Sequence, residues 1–180
     1  MVSNKMEIST QRLFIRPLSI KDAEQLFDYR SNKIANQYQS WIPDTIEDTH
    51  HFIRKLTPTF NLPNTWFQLA IIEQNSEIVI GDLGIHFIDN NQIEIGYTLS
   101  CDYQGKGYAT EAVKSIIDVL FHKLKKHRIS ASLDPNNSAS IKLLERLGFR
   151  KEAHHIDSYF HNDKWVDDVI YALLKREWKK

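Results

Sequence analysis

Ile93-Glu94-Ile95-Gly96-Tyr97-Thr98-Leu99, followed by Ser100-Cys101-Asp102-Tyr103-Gln104-Gly105-Lys106-Gly107-Tyr108-Ala109-Thr110, is the stretch on which the fold turns. Residues 93–99 alternate, with Ile93, Ile95, Tyr97 and Leu99 on one face and Glu94, Gly96 and Thr98 on the other, the period of a strand. From Ala109 the apolar residues Ala112, Val113, Ile116, Ile117, Leu120 and Leu124 fall at the spacing of one helical face, which predicts a helix over 108–126. Between the two, Gly105 and Gly107 permit a tight turn whose successive N–H groups point outward at a helix N-terminus, a seat for phosphate oxygens. The loop is not a Walker A motif, because no Gly-Lys-Ser/Thr follows. Nor is it the dinucleotide fingerprint, whose third glycine would fall at Thr110. The residues alone specify an anion and no more.

Upstream, 66–73, 78–88 and 92–99 read as three β-rich runs separated by Gln74-Asn75-Ser76 and Asp89-Asn90-Asn91, an antiparallel meander. Gly81 and Gly84 are expected to flank a bend in the middle run. Before it, Arg12 to Arg16 reads as a strand stopped by Pro17, and 22–30 and 46–56 read as helices joined by a loop carrying Tyr38 and Trp41. Downstream come a strand at 128–133, a helix at 137–147 closed by Gly148, a strand from Phe149 onward and a final strand at 165–175. Strand, helix, strand after a meander implies that 93–99 and 128–133 run parallel, joined by a right-handed crossover. The fold class is therefore α/β in the α+β sense, a mixed and mostly antiparallel sheet, and the whole chain, 1–180, is expected to form one domain.

Composition narrows the partners. Lys plus Arg equals Asp plus Glu at 23 each, so the overall charge supplies no reason to expect nucleic acid or an anionic membrane. An apolar content of 42% with 11% aromatics supports a sizeable core and excludes disorder as the main state. One cysteine, Cys101, excludes an internal disulfide, and Met-Val-Ser-Asn-Lys-Met-Glu leads into no apolar signal stretch, so a soluble cytoplasmic protein is expected. The adjacent pairs His50-His51 and His154-His155 cannot chelate from one side of a helix or strand, and no metal is expected.

Gln104-Gly105-Lys106-Gly107-Tyr108-Ala109 is similar to the Gln/Arg-x-x-Gly-x-Gly/Ala signature of the GNAT acetyltransferases, and it follows a strand as that superfamily requires. Three further blocks resemble its RimJ/RimL-type branch in the correct order: Thr10 to Leu18 with Asp22-Ala23, Asn137 to Phe149, and Trp165 to Asp168 with Leu173 to Trp178. The resemblance implies a GNAT fold, with the parallel strand pair splayed and helices on both faces of the sheet. It implies acetyl-CoA as acyl donor and CoA as product. The amides of Gln104, Gly105, Lys106, Gly107, Tyr108, Ala109 and Thr110 would hold the pyrophosphate, with the Thr110 hydroxyl available and Lys106 equally able to face solvent. Main chain near Leu99 and Cys101 would meet pantetheine, and Asn137 would serve as helix N-cap, as an amide contact to pantetheine, or as both.

Direct attack of an amine on a thioester needs a base, a polarised carbonyl and an exit for thiolate. Glu94, on the strand flanking the acetyl group, is the candidate base, and an exposed glutamate without a role is the plain alternative. His86 on the neighbouring strand is the second candidate and also a substrate-side residue. The Leu99 N–H is the candidate oxyanion donor. The resemblance places a tyrosine acid three residues after the position of Ile141, but Leu144 stands there, and the branch commonly lacks that tyrosine. Water or the Ser140 hydroxyl would then suffice for a thiolate of reference pKa about 8.5. Cys101 as an acyl-carrying nucleophile has no activating base in the sequence.

The substrate groove is expected between the 37–41 loop and the 156–164 hairpin, with Tyr38, Trp41 and Tyr159 as substrate-side residues. The branch implies a protein or peptide N-terminal amine as acceptor. A small amine, polyamine or aminoglycoside, is the alternative, and a CoA-responsive binding module without turnover is the rival of a different class. No run of carboxylates marks the groove in the sequence, which weighs mildly against a polycation, although Glu47, Asp48, Asp157, Asp163, Asp167 and Asp168 are available to gather in space. Monomer or homodimer is expected, with no nucleic acid and no membrane as partner.

Overall fold

In chain order the strands are β1 (Ile8–Ser9), β2 (Leu13–Pro17), β3 (Thr65–Glu73), β4 (Ile78–Phe87), β5 (Gln92–Leu99), β6 (Arg128–Leu133), β7 (Arg150–His161) and β8 (Lys164–Leu174). The helices are α1 (Ala23–Arg30), α2 (Ile46–Arg54), α3 (Tyr108–Asp118) and α4 (Ser138–Arg146). These come from a computed structural model that describes residues 6–161 and 163–178. The start of the chain read above for a signal, residues 1–5, lies outside the described residues.

All eight strands form one sheet in the order β1-β2-β3-β4-β5-β6-β8-β7. Every neighbouring pair is antiparallel except β5 and β6, which run parallel across the α3 crossover. β3 and β4 are near-continuous apolar runs because both of their faces are covered. Leu13, Ile15, Leu69, Ile71 and Ile80 join the core that packs beneath α3 and α4, through Val113, Ile116, Leu143 and Leu144. Ala70, Ile72 and Val79 turn the other way, to Ala23, Leu26 and Tyr29 of α1 and Ile53 of α2. The expected helices on both faces are thus present.

The predicted helix over 108–126 is in two parts: α3 stops at Asp118 and Val119–Lys123 continues as a π turn, with Leu124 N–H donating to Val119 C=O at 3.0 Å. Periodicity misses this, since one wider turn leaves the same apolar face inward. β8 inserts between β6 and β7, an order that strand patterning does not reveal. The expected bend between Gly81 and Gly84 is replaced by a register shift: Ile71 pairs with Gly81 but Ile72 with Val79, leaving Ile80 as the extra residue. Gly81 is required for a different reason, because a Cβ there would lie 2.5 Å from the Thr98 carbonyl oxygen.

β5 and β6 pair only from Gln92 with Arg128 to Glu94 with Ser130. Beyond that point both strands continue, to Leu99 and Leu133, without pairing, and the gap that opens is where the clefts lie.

Candidate active site

On β5, Ser100 N–H donates to Ile80 C=O and Gln92 C=O accepts from Ile88 N–H. The even-numbered residues therefore carry the ladder to β4, and the odd-numbered ones, Tyr97 and Leu99 among them, turn their amides and carbonyls toward the gap. Opening β5 from β6 exposes main-chain donors and acceptors on an otherwise closed sheet. The Leu99 amide is thereby turned toward the gap, while its carbonyl accepts from Gln104 Nε2 at 2.9 Å.

The turn after β5 uses glycine where only glycine is comfortable. Gly105 and Gly107 have φ of +71° and +84°, and Gly107 stands at the N-cap of α3. Arg12, the residue before β2, braces this turn. Its Nη1 donates to the Lys106 carbonyl at 2.9 Å, its Nε to Glu111 at 2.7 Å, and its guanidinium lies 4.2 Å from the centre of the Tyr108 ring. Glu111, on the first turn of α3, also accepts from Thr10 Oγ1 at 2.6 Å and from the Arg12 N–H at 2.9 Å. Partial burial acts to raise its pKa, but these bonds outweigh it and hold the carboxyl below the ordinary range. We expect Arg12→Ala to weaken CoA binding by about tenfold, the loss of one such brace; calorimetry with CoA would show it, and an unchanged affinity would remove Arg12 from the loop's support.

A cleft of about 460 Å³ runs along the turn. It is lined by Leu99, Gln104, Gly105, Gly107, Tyr108, Ala109, Thr110 and Asn137 among the residues expected there. Cys101 is exposed and Lys106 binds the Asp102 carbonyl at 2.7 Å; neither side chain lines the cleft. Across from the turn stand Lys142 and Arg146, whose Nη1 donates to Thr110 Oγ1 at 3.3 Å. These two cations were missed, although their spacing of four on a predicted helix puts them on one face. Buried Thr98 Oγ1 has no partner among the described residues and also lines this cleft. Left-handed glycines, two cations, an orphaned hydroxyl and an unzipped strand edge fit a long anionic ligand with an amide-bearing arm, as CoA is.

A second cleft of about 480 Å³ lies on the other side of the opened strands. Tyr38, Gln39, Tyr97, Asn137 and Ser140 line both clefts and mark their junction. Asn137 caps α4, its Oδ1 accepting from Ser140 N–H at 3.2 Å, so both readings of it are compatible with its position. Glu94 lines the second cleft, where His86 Nδ1 lies 3.3 Å from its Oε2 and the His86 ring stacks on Trp66 at 4.8 Å. His86 thus stands behind Glu94 rather than in the lining, and Trp66, missed in the sequence, is the wall. Tyr159 lines the cleft, whereas Trp41 stacks on Phe52 at 4.3 Å and lines neither cleft. Leu144 is buried and lines the cleft with no proton to give. Two phenols stand at the junction, Tyr38 and Tyr97; the Tyr97 Oη donates to the Ser140 carbonyl at 3.4 Å and its pKa is pushed up by burial to about 12.

Two of the six acidic residues available to gather in space line this cleft. Asp167 and Asp168 gather with Glu94 and Asp134 in the lining, which contains no Lys or Arg; Glu47 and Asp48 stay on α2. Asp168 accepts from Ser132 Oγ at 2.7 Å, and Asp167 from the Asp157 N–H at 3.0 Å with His154 Nε2 at 2.7 Å. Among the described residues no group of three or more His, Cys, Asp or Glu is arranged to hold a metal ion.

A family model described as an acetyltransferase (GNAT) domain matches residues 12–150. The chain belongs to this family. An uncharacterized N-acetyltransferase, p20, of Bacillus licheniformis is 34% identical over 94% of this chain and 96% of its own length. The solved structure of a GNAT-family acetyltransferase from Bacillus anthracis superposes with a TM-score of 0.86 at 30% identity, covering 96% of this chain and 100% of that one. The [ribosomal protein uS5]-alanine N-acetyltransferase of Escherichia coli is 27% identical over 97% of this chain and 93% of its own length. The protein is accordingly an N-acetyltransferase, and GNAT domains use acetyl-CoA. No helix among the described residues is long and apolar enough to cross a membrane.

Proposed function

We propose that this GNAT enzyme moves the acetyl group of acetyl-CoA directly to a primary amine, by preference the α-amine of a protein or peptide N-terminus. The observation that carries the reading is the junction itself: a phosphate-suited cleft and an acceptor cleft meet where β5 leaves β6, with Glu94 on the acceptor side. Acetyl-CoA supplies the acyl group already activated as a thioester. The turn amides with Lys142 and Arg146 seat the pyrophosphate, and the odd-numbered edge of β5 pairs with the pantetheine arm. Glu94 removes a proton from the bound amine, His86 keeps its carboxylate oriented, and the Leu99 N–H donates to the carbonyl oxygen as charge gathers there. The C–S bond breaks as the C–N bond forms, and Tyr97, protonated at neutral pH, and Ser140 offer hydroxyls at the junction to the departing CoA thiolate. The relative that acetylates the alanine of ribosomal protein uS5 supports the N-terminal acceptor.

The four carboxylates favour a second reading, a small amine with further positive charge such as a polyamine, whose ammonium groups they would neutralise. The test is incubation with acetyl-CoA and a panel of alanine- and serine-initiated peptides, spermidine and an aminoglycoside, followed by thiol release and product mass. Peptide products are expected, and acetyl-CoA is expected to raise the melting temperature. Turnover of spermidine alone would transfer the assignment to the second reading. The absence of any thermal shift at millimolar acetyl-CoA would overturn both.

A further inference from the structure

The segment after α1 crosses the junction of the two clefts, and its placement is set from inside the protein. Asp82 on β4 is fully buried and faces four donors: Tyr29 Oη at 2.7 Å, Arg30 Nε at 3.0 Å, Arg30 Nη2 at 2.6 Å, and Gln68 Nε2. Holding both Nε and Nη2 of Arg30 leaves Nη1 to point outward. There it donates to Gln39 Oε1 and to the Trp41 carbonyl, each at 3.4 Å. Gln39 in turn donates from Nε2 to the Tyr97 carbonyl, also at 3.4 Å, and that carbonyl is one of those turned into the gap between β5 and β6. Asn36, buried between α1 and this segment, donates to the carbonyls of Tyr29 at 2.7 Å and Asn32 at 2.9 Å, so the turn is tied at its base as well.

We propose that Gln39 is a positioning residue for the transfer reaction: its carboxamide, held on one side by Arg30 and bonded on the other to the Tyr97 carbonyl, sets the acceptor-side segment 36–41 in register with the strand edge that meets the thioester. The inference rests on the proposed acetyl transfer for its kinetic consequence, though not for its structural one. An amide suits the task because it presents an acceptor to Arg30 and a donor to the carbonyl at once, which neither a carboxylate nor a hydrocarbon can do. Bonds of 3.4 Å are long, so the tie acts through orientation more than through strength. Tyr38, beside Gln39 and lining both clefts, is carried into place by the same tie.

Two substitutions separate the two halves of the tie. Gln39→Ala removes both; Gln39→Glu keeps an acceptor for Arg30 and loses the donor to Tyr97. Amide hydrogen exchange over residues 36–41 is measured on the intact protein, CoA affinity by calorimetry, and steady-state constants with acetyl-CoA and an alanine-initiated hexapeptide. For Gln39→Ala we expect exchange in 36–41 to rise about tenfold while β4 stays protected. For both variants we expect the peptide KM to rise on the order of tenfold, well beyond any rise in the KM for acetyl-CoA, whereas Gln39→Glu leaves exchange at the wild-type level. Wild-type exchange in Gln39→Ala, or a peptide KM unmoved in both variants, overturns the proposal. So does a parallel rise in both KM values, which would mark a general loosening of the fold. If the wild type neither binds CoA nor releases thiol, the proposed transfer fails by itself, and the exchange measurement still decides whether Gln39 anchors the segment.

Discussion

Replacing Glu94 with glutamine is expected to lower kcat by about 10²–10⁴ while acetyl-CoA binding is retained, the range a positioned general base contributes. Glutamine keeps the volume and the hydrogen-bonding reach of the side chain, so His86 at 3.3 Å and the cleft wall at Trp66 stay in place and only the proton acceptor is lost. The size of the loss depends on the acceptor. At pH 7 roughly one α-amine in ten is already neutral, against about one lysine side chain in a few thousand, from reference values of about 7.7–8.0 and 10.4. The fall should therefore be steeper for lysine-like amines or polyamines than for peptide N-termini, and steady-state rates over a range of pH would display it as a change in the acid limb. Rates equal to wild type on every acceptor would exclude Glu94 as the base.

The largest effect on stability is expected at a residue that touches neither cleft. Asp82→Ala removes the carboxylate that receives Tyr29, Arg30 and Gln68 and leaves the Arg30 guanidinium buried without its counter-charge. Burial by itself lowers the Arg30 pKa and Asp82 more than offsets it in the intact protein; with Asp82 gone the guanidinium is still too basic to shed its proton, so the charge stays buried and unpaired. Breaking one side of such a pair costs about 3–5 kcal/mol. At about 2–4 °C per kcal/mol for a chain of this size, the melting temperature should fall by on the order of 10 °C. Calorimetric or fluorescence melting would measure it, and a fall within about 2 °C would mean that the pair contributes little.

Local pattern made much of this visible in advance. The alternation of Ile93 to Leu99 and the helical face from Ala112 onward placed a strand, a turn and a helix correctly, because each depends on contacts within a few residues. Gly105 and Gly107 were legible as a turn since positive φ is a property of the residue itself, and Asn137 as an N-cap for the same reason. The individual histidine, Glu94 and Tyr159 were legible as candidates. Their pairing was not, because His86 stands opposite Glu94 only through the β4 and β5 register.

What the sequence determined by itself was the family motif, the order of elements and the type of ligand seat, all of which follow from short-range geometry. The tertiary structure alone decided that β5 and β6 part after Glu94 and Ser130, that the odd-numbered carbonyls face the opening, and that Asp134, Asp167 and Asp168 come together from the loop after β6 and from β8. It also decided that Trp41 packs on Phe52 instead of lining the acceptor cleft, and that Arg12 and Arg30, one beneath the phosphate turn and one beneath the acceptor segment, are supports. Most of these join residues distant in the chain, and such contacts are set by which faces of the sheet and helices can be buried together.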